Sequence, residues 1–345
     1  ITSSAFNGCT NLSKVEISPD SNLQIIKEHA FSYTNINEIS IPPNVSTICN
    51  SAFCGCMQLS KVEIPVNSNL ETIGEYAFSD TGITELYFPS SLIELKKEWC
   101  FSTKSLNKIS ISESNNRFQF KDDKLLLGKS DDKNEDFDIL LFARRDIEEV
   151  QIPSNIKTIT SSAFNGCTNL SKVEISPDSN LQIIKEHAFS YTNINEISIP
   201  PNVSTICNSA FCGCMQLSKV EIPVNSNLET IGEYAFSDTG ITELYFPSSL
   251  IELKKEWCFS TRLLNKITIS ESNNQFLFKD DKLLLGKSDN KNEDFDILLF
   301  ARRDIEEAQI PSNIKIITSS AFNGCTNLSK VEISANSNLQ TIEES

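Results

Sequence analysis

"AFNGCTNLSKVEIS" occupies residues 5–18, and the same fourteen letters return at 163–176 and at 321–334. The phrase therefore recurs at a constant offset of 158 residues. A fixed period of this kind governs the fold and takes precedence over any residue-level reading. Laid over each other, residues 1–158 and 159–316 differ at only a few positions, among them Lys104/Arg262, Ser105/Leu263, Arg117/Gln275, Gln119/Leu277 and Asp132/Asn290. The remainder, 317–345, begins a third copy.

A shorter period lies inside the long one. Phenylalanines preceded by a small residue stand at Phe6, Phe31, Phe53, Phe78 and Phe101, about one solenoid coil apart, and then, beyond a longer gap, at Phe164. Each coil opens on a small residue and Phe, as in Ala30-Phe31 and Ala77-Phe78. An alternating run follows, such as Leu12-Ser-Lys-Val15-Glu-Ile17 or Leu59-Ser-Lys-Val62-Glu-Ile64. β-Branched residues at period two predict a strand with one buried face. Pro42, Pro65 and Pro89 end such runs, and a residue without an N–H suits a strand exit. A second apolar pair (Val45 and Ile48, or Leu70 and Ile73) leads back to Ala-Phe. One coil cannot bury its own Leu, Val, Ile and Phe, whereas stacked coils can. Strand starts at Leu12, Ile36, Leu59, Ile83, Leu106 and Ile147, repeated in the second copy and once more at Leu328, predict 13 rungs of parallel sheet.

The pattern A-F-x-x-C-x-x-L-x-x-V-x-I-P followed by L-x-x-I-x-x-x-A-F resembles the BspA-like leucine-rich repeats over nearly the whole chain. The resemblance implies a leucine-rich repeat solenoid, with a parallel β-sheet on a concave face and short helical or irregular convex segments. It also implies surface display, adhesion and protein binding, with no catalytic residue and no cofactor to carry over. Thr34, Thr81 and Lys104 stand where the pattern has Cys. The expected organisation is one continuous solenoid over 1–345, in super-repeats 1–158, 159–316 and a partial 317–345. Insertions at 114–146 and 272–304 read as hairpins, either protruding or capping a coil. Asp131, Asp132, Asn134, Glu135 and Asp136 inside the first insertion lack the alternating spacing and central Gly of a calcium loop and read as a solvated turn.

Composition narrows the function. A net charge of −16 argues against nucleic acid and against anionic lipid. No apolar run approaches the roughly 20 residues of a membrane span. The chain opens and closes inside a repeat and reads as a piece of a longer protein, so any membrane attachment is expected from segments outside it. The two histidines, His29 and His187, are copies of one position with no partner in sequence, and no phosphate loop or nucleophile motif occurs. No enzyme, no metal site and no small-molecule substrate are expected.

Of eleven cysteines, Cys9, Cys56, Cys167, Cys214 and Cys325 fall in an inward small-residue slot, and Cys100 and Cys258 replace the Ala before Phe. Cys49, Cys54, Cys207 and Cys212 fall in wetter positions, as reduced thiols or as a Cys49–Cys54 pair. Sequons at Asn11, Asn44, Asn169, Asn202 and Asn327 are compatible with export.

The strand residues that point outward form two rows. The first alternates Lys14, Glu38, Lys61, Glu85, Lys108 and Glu149 and continues so through Lys330, which predicts a self-neutralised ladder that fixes register. The second runs Glu16, Ser40, Glu63, Tyr87, Ser110 and Gln151. Glu16, Glu63 and Tyr87, with their copies Glu174, Glu221 and Tyr245, are the candidate binding residues, because an exposed Tyr beside carboxylates suits a protein or glycoprotein ligand. The expected function is a binding or adhesion module at a cell surface or secreted. The rival is an intracellular scaffold with reduced thiols.

Overall fold

The computed structural model describes residues 1–131, 133, 135–289 and 293–344. It divides into two compact units, Ile1–Glu148 with Thr158–Asn169, and Glu149–Lys157 with Leu170–Ser345. Each is a stack of coils, and the leucine-rich repeat solenoid expected from the sequence is the fold.

In the first unit one parallel ladder joins Glu38–Ser40, Lys61–Glu63, Glu85–Phe88 and Lys108–Ile111. A second, narrower parallel ladder joins Ile25–Ile26, Thr47–Ile48, Thr72–Ile73 and Glu94–Leu95. Coils of these ladders thus carry two short strands linked by turns, and no helix occurs among the described residues. The helical option for the far side is not realised. Those segments are two-residue strands of Thr and Ile, far below the length at which an isolated helix holds. The second unit pairs Glu149–Ile152 with Lys172–Ile175, Glu196–Ser198 with Lys219–Glu221, Glu243–Phe246 with Lys266–Ile269 and Glu307–Ile310 with Lys330–Ile333, all parallel. One expected rung is missing: Lys14–Ile17 forms no strand, although Val15 and Ile17 are half-buried.

The core of the uninterrupted coils is a column of Phe rings. Phe6, Phe31, Phe53 and Phe78 form a column with centroids 5.2, 5.4 and 5.5 Å apart and planes within 7° of parallel. Phe189, Phe211 and Phe236 repeat it in the second unit at 5.3 and 5.4 Å. The backbone that presents each ring is a double left-handed bracket. The residue before Ala-Phe and the residue four further on both have positive φ: His29 and Tyr33, Ser51 and Gly55, Tyr76 and Asp80. Between them the chain turns, with N–H groups donating to the carbonyl three back, as Ser32 does to His29 (3.2 Å). Gly55 suits its position doubly, because a Cβ there would lie 2.4 Å from the Tyr33 ring.

The bracket corrects the alignment of the interrupted coil. Its positive-φ residues are Glu98 and Ser102, so Trp99 takes the Ala slot and Cys100 the Phe slot. Cys100 therefore does not replace Ala. Nor does Lys104 replace the slot Cys, because Thr103 is there, buried and donating to the Phe78 carbonyl (2.6 Å). The Trp99 ring meets Phe88 at 5.9 Å and Phe142 at 6.0 Å. The room left beside a Cys in a Phe slot goes to Arg145, which is 3 % exposed. Its guanidinium lies 4.3 Å over the Phe142 ring, donates to the Ala163 carbonyl (3.0 Å), and reaches Cys100 Sγ (3.8 Å) and Cys167 Sγ (3.7 Å). Burial pushes the Cys100 thiol up to about 12, and Arg145 only partly offsets it. Arg303, Cys258 and Cys325 repeat the cluster.

The insertion is a three-strand antiparallel meander, Phe118–Lys121, Leu125–Gly128 and Ile139–Ala143. Its last strand pairs in parallel with Thr158–Ile159, a two-residue strand of the same kind, in a sheet separate from the four-stranded narrow ladder. Leu125, Leu126 and Leu127 are buried, so the segment is packed into the coil stack. Asp132 and Asn134 of the acidic stretch lie outside the described residues. Beside them, Asp138 accepts from the Ser130 N–H (2.8 Å) and hydroxyl (2.7 Å).

Candidate binding face

The outward rows fall where strand alternation puts them. In the wide ladder Glu38 lies opposite Lys61, Lys61 opposite Glu85 and Glu85 opposite Lys108. The expected alternation of register is present. The ion pairs it was expected to form are mostly not. Lys61 bonds Glu63 on its own strand, Lys172–Glu174, Lys219–Glu221 and Lys330–Glu332 do the same, and Lys14–Glu16 pair likewise on the stretch that forms no strand. Residues two apart share a strand face, so a lysine reaches its own neighbour at no cost in register. Where that neighbour is Ser110 or Thr268, the lysine crosses instead: Lys108 to Glu85 at 3.0 Å and Lys266 to Glu243 at 2.8 Å.

These contacts set the charge of the candidate residues. The Glu63 carboxyl is held below the usual carboxylate range by the Lys61 ammonium and by the Ser40 hydroxyl, which donates at 2.6 Å. Glu221 is held down in the same way by Lys219 and by Ser198 (2.7 Å). Glu16 is lowered by Lys14 alone. All three are ionised anions at neutral pH.

Tyr87 and Tyr245 are half-buried, opposite Ser110 and Thr268 respectively. In the second unit a shallow depression of about 370 Å³ gathers Lys219, Glu221, Ile222, Glu243, Tyr245 and Thr268. It brings two of the candidate residues together, Glu221 and Tyr245. Glu63 and Tyr87 hold the same strand positions in the first unit. Glu174, on Lys172–Ile175, does not line the depression, and Glu16 lies on the stretch that forms no strand.

A second feature was not read from the sequence. Where the strands end, Ile41, Pro42, Pro43, Ile64 and Pro65 line a groove of about 320 Å³ with Glu63 on its rim. Ile199, Pro200, Pro201, Ile222 and Pro223 line one of about 480 Å³ rimmed by Glu221. Glu221 therefore belongs to both the tyrosine depression and the proline groove of its unit. The sequence signal was the Pro42-Pro43 pair, which reads as a strand terminator but also supplies rigid apolar surface.

The cysteines do not build a site. No disulfide joins any of the eleven, and the Cys49–Cys54 pair is not formed. Cys56, Cys167 and Cys214 are buried as expected for the small-residue slot, whereas Cys9 is exposed and Cys325 half-buried. Among the described residues, no group of three or more His, Cys, Asp or Glu could hold a metal ion. His29 sits at φ 54° with Nδ1 3.3 Å from the Ser32 hydroxyl, a contact within its own turn.

Comparison with known proteins agrees with this geometry. Residues 1–121, 138–265 and 293–345 match the BspA type leucine rich repeat region, in 6 copies. Among solved structures, the chain is similar to the pneumococcal vaccine antigen PcpA, with 23 % identity, a TM-score of 0.65, and coverage of 91 % of this chain and 72 % of that one. A leucine-rich repeat protein of Eubacterium ventriosum is similar at 20 % identity and TM-score 0.60, over 94 % of this chain and 79 % of that one. A leucine-rich cell surface protein of Faecalibacterium prausnitzii is similar at 22 % identity and TM-score 0.55, over 78 % and 76 %. No curated protein sequence matches.

Proposed function

The chain belongs to the BspA-type leucine-rich repeat family, and from that premise we propose that it is a binding and adhesion module carried at a cell surface. Its partner is a protein or glycoprotein, taken on the outward strand face around Glu63 and Tyr87 in one unit and Glu221 and Tyr245 in the other. The observation that carries this reading is the duplication of the face: the residues of the tyrosine depression, Thr268 aside, and of the proline groove recur unchanged at an offset of 158. A half-buried Tyr with ionised carboxylates beside it gives a rigid apolar anchor and a polar rim. Surface placement rests on the printed descriptions of structural neighbours, a leucine-rich cell surface protein and a vaccine antigen. On the side of an intracellular scaffold stand eleven cysteines with no disulfide among them.

The test is binding of the full chain to immobilised mucin-type glycoprotein, followed by interferometry. Tyr87→Ala and Tyr245→Ala are each expected to weaken binding modestly, and the double variant severely. Two copies that engage one multivalent surface reinforce each other through effective concentration. Unchanged binding by the double variant sinks this reading of the face.

A further inference from the structure

Residues 1–103 and 159–261 are identical, and all eight differences between the two copies fall after them. Within the first of these stretches the second left-handed position of each bracket forms a row along the turns: Gly8, Tyr33, Gly55 and Asp80. Backbone bonds fix its order. The Gly8 N–H donates to the Ser32 carbonyl, the Tyr33 N–H to the Cys54 carbonyl and the Gly55 N–H to the Ser79 carbonyl, each at 2.9 Å. Tyr33 therefore has a glycine on the rung to either side. Its ring lies against Gly55, where a Cβ would come within 2.4 Å of it, and nothing lies within 4 Å of a Cβ built at Gly8. Phe31, two residues earlier, is fully buried, whereas Tyr33 is 58 % exposed. Asp80, one rung beyond Gly55, is exposed, and among the described residues no Lys or Arg pairs with it. One sulfur connects the two. The Tyr33 hydroxyl hydrogen-bonds Cys54, whose thiol is pushed up by burial and then by the Asp80 carboxylate. The second unit repeats the arrangement. Tyr191 is equally exposed and lies 2.5 Å from a Cβ built at Gly213, and its hydroxyl is raised by Cys212, by burial and by Asp238.

We propose that Tyr33 with Asp80, and Tyr191 with Asp238, are two copies of a site for an arginine side chain of a partner protein. The site shares no residue with the strand face described above. The argument is charge complementarity. A guanidinium is flat, stacks on an aromatic ring and is attracted by the negative face of its quadrupole. Its N–H donors then need an acceptor, and a carboxylate with no cation of its own supplies one. Paired backbones on adjacent rungs stand about 4.8 Å apart, and the ring already covers the Gly55 rung, so Asp80 stands on the next rung beyond the ring. A neutral saccharide also stacks on tyrosine, but it leaves that carboxylate without a counter-charge on a chain of net charge −16. A lysine ammonium brings the charge without the flat surface.

Interferometry of the full chain over immobilised deca-arginine, deca-lysine and a neutral N-acetylglucosamine oligomer tests the assignment. Deca-arginine is expected to bind more tightly than deca-lysine, which carries the same charge. Tyr33→Leu/Tyr191→Leu leaves the net charge unchanged. It should loosen deca-arginine about two- to fivefold for each site engaged and remove its advantage over deca-lysine. Tyr33→Phe/Tyr191→Phe keeps both ring faces and should retain that advantage, and Asp80→Asn/Asp238→Asn should weaken both peptides. These two variants decide the matter if the Leu variant does not fold. Equal binding of the two peptides by the wild type overturns the proposal. So does deca-arginine binding indifferent to Tyr33→Leu/Tyr191→Leu, because net charge alone would then account for it. Two further results also overturn it. Loss of the arginine preference in Tyr87→Ala/Tyr245→Ala instead would move the cation to the strand face. Oligomer binding that depends on Tyr33 and Tyr191, with no arginine preference, would make the ring a sugar platform.

Discussion

Phe53→Ala probes the aromatic column at its most enclosed point. The Phe53 ring is fully buried, 5.4 Å from Phe31 and 5.5 Å from Phe78. Truncation removes its transfer free energy and both stacking contacts, and the rigid neighbours on either side cannot collapse into the gap. A cost of about 3–5 kcal/mol is expected. Phe6→Ala is the calibrating variant. Phe6 is 39 % exposed and has a ring neighbour at 5.2 Å, Phe31, so about 1–2 kcal/mol is expected there. Coils interact with their neighbours, which confines the damage. The Phe31 N–H, bonded to the Ala52 carbonyl at 2.8 Å, and the N–H of residue 53, bonded to the Ala77 carbonyl at 2.9 Å, report on it directly.

Native-state hydrogen exchange read by mass spectrometry is the assay. The fragment carrying the substitution at position 53 differs in mass from its Phe211 counterpart, so the second copy serves as an internal control. Exchange at the altered fragment should accelerate by about 10²–10⁴-fold, since 1.4 kcal/mol is about tenfold. The Phe211 fragment should be unchanged. Acceleration below about tenfold, or equal acceleration in both fragments, would show that the column is not the spine of independent coils.

Four further outcomes follow from the same geometry. Lys61→Glu removes the partner of Glu63 and sets a carboxylate opposite Glu38 and Glu85. Thermal melts should show a larger loss at low salt than at high salt, and equal losses would mean the row is not a contiguous exposed stripe. Arg145→Met should be tolerated far better than Arg145→Ala in urea titrations, because a buried cation gives way to an apolar side chain of similar volume whereas Ala leaves a cavity. The Asp296 carboxyl is raised by burial, but Ser288 and Lys315 outweigh this and leave it below the usual value. A lowered folded pKa gives stability that is full above about pH 4 and lost as pH falls through the folded value, so Asp296→Asn should flatten the acid limb of the stability profile. A monovalent partner should distinguish the wild type from a single tyrosine variant by no more than a factor of about two, whereas a multivalent surface should separate them widely.

The coil grammar was legible because it is written in two periods that the chain cannot avoid. Alternating Val, Ile and charged residues fix which face of a strand is buried, and the recurring Phe fixes the coil length. The interrupted coil was misread for a physical reason. Trp99-Cys100-Phe101 looks like Tyr76-Ala77-Phe78, and letters align by likeness. The backbone instead aligns by its left-handed positions, Glu98 and Ser102, which no residue type announces. The outward ladder was read correctly in register and wrongly in pairing. A row of alternating signs across strands hid the shorter route along each strand, from Lys61 to Glu63. The proline grooves were missed because Pro42 and Pro65 were read only by the N–H they lack.

The distribution of differences between the copies separates two kinds of surface. The strands bearing Glu63 and Tyr87, and those bearing Glu221 and Tyr245, lie within the identical stretch, so each chain offers the same face twice. The first meander strand lies outside it and differs in charge and apolarity between the copies, so that surface is not offered twice. A duplicated face gains from a repetitive partner, because the second contact is intramolecular. The gain is open to experiment. Tyr245→Ala should lower avidity for a multivalent surface far more than affinity for a soluble monovalent partner, and equal losses in the two assays would show that the two faces do not act together.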